Sequence, residues 1–301
     1  MTPIESDAAA WVAILIPTFN RRESLLRCLA AVRAMPGAHK TYVVFDGCTD
    51  GSEDAVGAQF PEVVRLRGDG NLWWSGAINV GAEAAIRDGA SHLLFYNDDV
   101  EAAPTLVAEL LRCALAHPRS VIGPAVYHSD DRSRVWSAGG RTDWLGRGTY
   151  TRENEQAAEA IASGDLVVEW LPGMGTLTPS DAFLAVKGVD AERFPQYFGD
   201  ADFCLRAGRA GYQVRICPEA RLFNEIRSTG IQLPPGPIRW KHVHAILTHR
   251  RSHMNWVTRT RFWGVHCPPH LVLWQVLRFY IPILTMALGK LTVAHLRGIR
   301  R

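Results

Sequence analysis

Leu93-Leu94-Phe95-Tyr96-Asn97-Asp98-Asp99-Val100 is an apolar run that delivers an amide and two adjacent acids. A buried strand that ends this way carries oxygen ligands to the edge of a sheet. Such ligands suit Mg2+ or Mn2+ shared with phosphate oxygens, and the same acids can also cap a helix starting near Pro104. The neighbours decide what kind of sheet it is. Residues 11–16 read as a strand ended by Pro17, and residues 22–35 as a helix stopped by Pro36-Gly37. Residues 41–45 and 62–66 are strand-like, residues 76–88 are Ala-rich and helical, residues 92–96 form a strand and residues 104–117 a helix. Strand alternating with helix predicts an α/β fold with a mostly parallel sheet sandwiched by helices. Ligands of such sheets bind beyond the C-terminal ends of the strands. The polar clusters Thr18-Phe19-Asn20, residues 46–52 and Asn97-Asp98-Asp99 all fall at those ends.

Beyond residue 120 the pattern loosens into short strands and Gly-rich turns up to residue 178, followed by a short helix over residues 203–210. Pro234-Pro235-Gly236-Pro237 is a break, residues 239–263 read as one basic, aromatic helix, and residues 271–289 are strongly apolar. We therefore expect a catalytic unit over residues 1–230 and a helical extension over 231–301. Charge divides along the same line. The net charge of +3 hides 20 Lys and Arg against 29 Asp and Glu in residues 1–220, and 13 against the single acid Glu225 afterwards. A tail this basic seeks anionic surface, either lipid headgroups or phosphates. Six scattered cysteines without a CxxC pair read as reduced thiols of a cytoplasmic protein. No basic stretch precedes an apolar one at the N-terminus, so no secretory signal is expected there.

Three further segments carry chemistry. Asp46, at a strand exit and followed by Gly47, can accept the ring N3–H of uracil or thymine, though an Asp-Gly turn is the more ordinary use. Gly70-Asn71-Leu72-Trp73-Trp74-Ser75-Gly76-Ala77-Ile78-Asn79 opens a helix with glycines that admit a diphosphate and indoles that offer flat faces to a base or sugar. Asp200 and Asp202 are acids at a helix start, able to serve as base or cap, with Arg206 and Arg209 within reach as partners.

Taken together, residues 14–211 resemble the inverting family-2 glycosyltransferases of the GT-A fold. The family's opening Pro-x-Phe-Asn-Arg pattern is matched by Pro17-Thr18-Phe19-Asn20-Arg21, and its Asp-Asp-Gly-Ser-x-Asp-Gly pattern from Asp46 onward, with Phe45 replacing the first acid. The double tryptophan is similar to rhamnosyltransferase-like enzymes of bacterial surface polysaccharides. The family's metal-binding Asp-x-Asp falls on Asn97-Asp98-Asp99, which makes Asp99 the expected metal ligand. Trp170-Leu171-Pro172-Gly173-Met174-Gly175 resembles the acceptor-side loop. Phe198-Gly199-Asp200-Ala201-Asp202 resembles the segment that holds the base, with Gly199 where an acid usually stands. The resemblance implies Asp200 as the base that deprotonates the acceptor hydroxyl, with Asp202 in reserve. It also implies a nucleotide-sugar donor (UDP or dTDP favoured), bound through residues 17–21, Asp46, Gly47, Gly70, Asn71, Trp73, Trp74, Gly76, Asn79, Asn97 and Asp98. A divalent cation, Mn2+ or Mg2+, and a glycan or lipid-linked acceptor complete the expectation. Asn224 replaces a His that some members use, and Arg227 and Ser228 follow it as candidate diphosphate contacts.

A nucleotidyltransferase would need a Gly-rich triphosphate loop after the first strand, and residues 17–22 contain no glycine. A catalytically inactive sugar-nucleotide-binding protein is the other rival, since Asn97 and Gly199 both stand in for acids. In the tail, His249 and His253 are spaced like helical zinc ligands but lack the intervening Glu. Its arginines interleaved with tryptophans are read as facing a membrane or a lipid diphosphate rather than nucleic acid. Arg278 within the apolar run argues for a helix lying at the inner face of the cytoplasmic membrane or packed on the catalytic unit, with Arg297, Arg300 and Arg301 on headgroups, rather than one crossing it.

Overall fold

The computed structural model describes residues 11–224 and 240–299. Its first half runs β1 (Val12–Thr18), α1 (Arg22–Arg33), β2 (His39–Asp46), α2 (Ser52–Gln59), β3 (Val64–Gly68), α3 (Trp73–Arg87), β4 (His92–Phe95), β5 (Val100–Ala102) and α4 (Leu106–Ala116). Alternation along β1 feeds two cores at once. Val12, Ile14 and Ile16 pack with Leu25 and Leu29 of α1, Val56 of α2 and Leu106 and Leu110 of α4. Ala13 and Leu15 face the other way, onto Ile78, Ala82 and Ala85 of α3. β1 pairs in parallel with β2 and β4, and β2 with β3. Thr18, Asp46, Gly68 and the residues after Phe95 therefore emerge along one edge.

The second half adds β6 (Ser120–His128), β7 (Val135–Asp143), β8 (Gly148–Glu153), α5 (Asn154–Ser163), β9 (Val167–Val168), β10 (Thr176–Pro179), α6 (Ser180–Ala185), α7 (Gly199–Arg209) and β11 (Gln213–Asn224). The sheet order is β3-β2-β1-β4-β10-β6-β11-β5. β10 lies antiparallel between β4 and β6, so the sheet is parallel in its first half and mixed beyond β4. The region expected to hold only short strands contains the long, almost wholly buried β6 and the helix α5. α7 begins at Gly199, earlier than the sequence pattern indicated, and keeps Asp200 and Asp202 in its first turn, where the helix dipole favours carboxylates.

The extension is α8 (Trp240–Thr248), α9 (Trp256–His266), a 3-10 turn over Pro269–Leu271, and α10 (Val272–Ile299). The single helix expected over 239–263 is thus two. Asn255 divides them: its Oδ1 accepts Thr258 N at 3.0 Å to cap α9, and its Nδ2 donates to Thr248 O and His249 O at the end of α8. Phe262, Trp263 and Cys267 pack with Phe194 and Ala201, which seats α9 on α7. α10 is tied to the β7–β8 turn by Gln275 and Trp274, which donate to Trp144 O and Leu145 O. Among the described residues no helix is long and apolar enough to cross a membrane. The break at residues 234–237 and the residues Arg227, Ser228, Arg300 and Arg301 lie outside the described residues.

Candidate active site

The three strand-end clusters meet. Thr18 Oγ1 donates to Asp98 Oδ2 at 2.8 Å, and Ser24 Oγ to the Asp98 carbonyl. Arg21 Nη1 lies 3.1 Å from Asp98 Oδ1 and 3.0 Å from Asp99 Oδ2. Asp98 is only 5% exposed, and burial pushes its carboxyl up to about 6 against the pull of Arg21 and Thr18. Asp99 is the more open acid, with 23% of its side chain exposed. Asn20, at a left-handed φ of 51°, accepts Thr49 N through Oδ1 at 2.7 Å, and Arg22 N donates to Asp50, so the first two loops are stitched together. Pro17 is held in the β1–β2 pairing opposite Val44, while Phe19 projects into solvent at 57% exposure.

Asp46 organises the donor-side loop. Its Oδ1 accepts Gly70 N at 2.7 Å and its Oδ2 accepts Trp73 N at 3.0 Å. A carboxylate offers about four acceptor sites, so capacity for a ligand remains. Gly47 is a glycine because the two loops touch, since a Cβ there would stand 2.7 Å from Gly70 Cα, while Gly70 is one because its φ of 88° is left-handed. Asn71 is exposed at the tip of this loop, and Gly76 is buried in the first turn of α3, its N–H donating to Leu72 O. The next residue after Trp73 carries the link onward. Trp74 Nε1 donates to Asn97 Oδ1 at 3.1 Å, which gives the amide at that position a fixed partner. Asn79 does not join them: its side chain pairs in both directions with the backbone of Val189 and clamps the loop after α6.

On the other side of Trp74, Gly173 packs so closely that a Cβ would meet Cζ2 at 2.3 Å, and its N–H donates to Asp200 Oδ2 at 2.9 Å. The rest of the acceptor-side loop is braced as well. Trp170 pairs through its backbone with Gly140, Pro172 O accepts Thr176 Oγ1, and Gly175, at φ 81°, donates to Phe95 O at 2.7 Å. Met174 is half-buried between them. Gly199 also has a packing reason, since a Cβ there would meet Ser75 Oγ at 2.3 Å and the Phe194 carbonyl at 3.1 Å. An acid at that position is excluded by the approach of α7 to α3.

The two acids of α7 are pushed in opposite directions. Burial raises the Asp200 carboxyl above the usual carboxylate range, and the N–H donors of Ala201 and Gly173 only partly offset it. Burial would raise Asp202 too, but His266 Nε2 at 2.8 Å and the Arg206 guanidinium at 2.7 Å outweigh it and hold it low. Acids driven apart in this way are a signature of divided roles, one poised to take a proton and one held ionised. Asp200 is the candidate base of the two, and Asp202 braces the helix. His266 comes from 64 residues away, and no local pattern announces it. His249 and His253 lie in the turn between α8 and α9, not four apart on one helix.

For a divalent cation the candidate donors are Asp99, with Asp98 behind it, and Asn224 nearby, since Asn224 pairs with Val100, the residue after Asp99. Among the described residues no cluster of three or more His, Cys, Asp or Glu side chains is assembled. One or two carboxylates fit the binding mode of Mg2+ and Mn2+, which take their remaining oxygens from substrate phosphates and water.

A rhamnosyltransferase from Mycobacterium tuberculosis, N-acetylglucosaminyl-diphospho-decaprenol L-rhamnosyltransferase, is 28% identical over 72% of this chain and 77% of its own. An uncharacterized Mycobacterium bovis protein is 26% identical over 66% of this chain and 68% of its own. The mannosyltransferase PcManGT from Pyrobaculum calidifontis, solved in complex with GDP-Man and Mn2+, shares the fold with a TM-score of 0.61 at 14% identity. That match covers 94% of this chain and 74% of that one, and it meets the expectation of a GT-A-type architecture. The family model for glycosyl transferase family 2 matches residues 13–165, half of the chain, and on that match this glycosyltransferase belongs to glycosyl transferase family 2.

Proposed function

We propose that the chain is an inverting, divalent-metal-dependent transferase that moves a sugar from a UDP- or dTDP-linked donor onto a hydroxyl of a glycan or lipid-linked acceptor. One observation carries the reading. An unbroken line of contacts runs from Asp46 through Trp73 and Trp74 to Asn97 and Gly173, and from Gly173 to Asp200. The residues read here as base recognition, cation site and proton acceptor are thereby tied into one packed network, which supports the reading. Asp46 meets the base, residues 70–76 face the diphosphate, and Asp99 would hold Mn2+ or Mg2+. The bound cation supplies charge neutralisation for the departing diphosphate. Asp200 takes the acceptor's hydroxyl proton as the new C–O bond forms and the anomeric carbon–phosphate oxygen bond breaks on the opposite face.

The test is a thermal-shift screen of UDP-, dTDP- and GDP-sugars, with Mn2+ and after chelation. A specific ligand at 100 times its Kd stabilises by about 2.7 kcal/mol. The expected result is a cation-dependent rise in the unfolding midpoint for UDP or dTDP donors, lost in Asp99→Asn. A rise that ignores both Mn2+ and the Asp99→Asn change would overturn the metal assignment.

We further read residues 1–230 as the catalytic unit and 231–301 as an extension that contacts the inner face of the cytoplasmic membrane peripherally. The relative's name, with its lipid diphosphate acceptor, supports a lipid-linked acceptor here. α10 exposes Leu273, Trp274, Leu277, Ile281 and Leu284, spaced for one face, and the exposed Leu145 sits beside Trp274. No acid follows Glu225 in the sequence. An apolar stripe on a basic segment is what an anionic interface retains. Leu277→Asp with Ile281→Asp should cut co-sedimentation with phosphatidylglycerol vesicles severalfold and leave binding to nucleotide sugar unchanged. Undiminished sedimentation of the double variant would count against the contact.

A further inference from the structure

The turn between α8 and α9 is built more firmly than an exposed connection requires. Ser252 and Asn255 within it are buried, and Asn255 holds both flanking helices. Arg259 Nε and Nη2 donate to His253 O at 3.2 and 2.9 Å, and the Tyr280 hydroxyl donates to Met254 O at 3.3 Å. Arg259 is itself packed over the rings of Phe198 and Phe279, at 5.0 and 4.0 Å from their centroids. α9 and α10 thus fix the turn from beneath.

What the turn displays is two exposed arginines at the mouth of the cleft. The Arg250 guanidinium lies 5.4 Å from the centre of the Trp73 ring, on the loop that Asp46 anchors. Arg251 follows it in the same turn and is exposed, and two residues on His253 packs edge-on against Tyr197, three residues before Asp200. Among the described residues neither arginine has an ion-pair partner. Two unpaired guanidiniums held between the donor loop and the base side make a site for a doubly charged anion, and the planar fork matches phosphate oxygens.

We propose that Arg250 and Arg251 form a diphosphate clamp at the mouth of the cleft, contributed by the extension rather than by the sheet. The proposal rests on the transferase reading, in which a diphosphate arrives either on the donor or on a lipid-linked acceptor. The clamp makes residues 249–253 part of substrate recognition and explains why the extension is seated on the helix that carries Asp200.

The test uses the full-length protein, metal-free, titrated calorimetrically with inorganic pyrophosphate. Arg250→Ala with Arg251→Ala should weaken binding about tenfold or more, because each lost charge-assisted hydrogen bond matters at that scale. Arg250→Lys, which keeps the charge but not the fork, should fall between. Unfolding midpoints of these exposed-site variants serve as the folding control. Titration in saturating UDP then identifies the source: pyrophosphate that still binds marks an acceptor-side clamp, and pyrophosphate that is excluded marks a donor-side one. Equal pyrophosphate affinity in wild type and double variant would overturn the clamp. Loss of pyrophosphate binding in a protein that turns over no nucleotide sugar would sink the transferase reading and leave the clamp standing.

Discussion

Asp200→Asn is expected to lower kcat by about 10²–10⁴, the usual contribution of a positioned base, while nucleotide-sugar affinity stays within a few-fold. The carboxylate does not touch Asp46 and is linked to it through Gly173 and Trp74, and through the packing of Gly199 on Ser75. Removing its charge therefore strips proton acceptance and little else. The amide keeps one oxygen for an N–H donor but turns an NH2 toward the other, so a modest loss of stability accompanies the change. Equilibrium unfolding separates that loss from the chemistry. Burial raises the wild-type carboxyl, and a base works only when ionised. The acid limb of kcat/KM should accordingly lie above the ordinary aspartate value of about 3.9, with activity rising as pH rises through it. The residual activity of Asp200→Asn should lack that limb. Near-normal turnover by the variant would take Asp200 out of the mechanism.

What could be read in the chain and what could not follows from how each residue is held. Alternation along β1 and the Pro, Gly and Asp punctuation after each strand placed Thr18, Asp46 and Asn97-Asp98-Asp99 at a common edge, because burial on two faces imposes that pattern locally. Packing between distant elements leaves no such trace. Gly199 resembles a missing acid until Ser75 Oγ is found where its side chain would go. Asn97 resembles decay of a metal ligand until Trp74 is seen donating to it. Asn79, three residues after Gly76, looks like part of the donor loop, yet its amide is spent on Val189, 110 residues away. The extension follows the same rule. A run of basic and aromatic residues has helical character throughout, and only the side chain of Asn255 shows where it must bend.

Asp202→Ala is expected to destabilise the protein by about 3–5 kcal/mol, the scale for removing one partner of a buried charged pair. Asp202 is 1% exposed and uses both oxygens, one on Arg206 of its own helix and one on His266 of α9. Without the carboxylate, Arg206 keeps only the carbonyls of Val186 and Gly188. His266, whose Nδ1 has no partner among the described residues, is left buried beside Phe262 with none among them at Nε2 either. The joint between α7 and α9 is thus lost from both sides, and it is the joint that seats the extension on the helix bearing Asp200. Asp202→Asn preserves the shape and should cost less. The pH dependence has a definite sign. Because the folded carboxyl is held below its ordinary value, its stabilisation is complete above the unfolded value of about 3.9 and is lost as pH falls through the folded one. Urea midpoints of wild type and Asp202→Ala should therefore stand furthest apart at neutral pH and converge in acid. Equal midpoints at pH 7 would mean that α9 is held on α7 by Phe262 and Trp263 alone, and that the buried pair adds specificity of docking without adding strength.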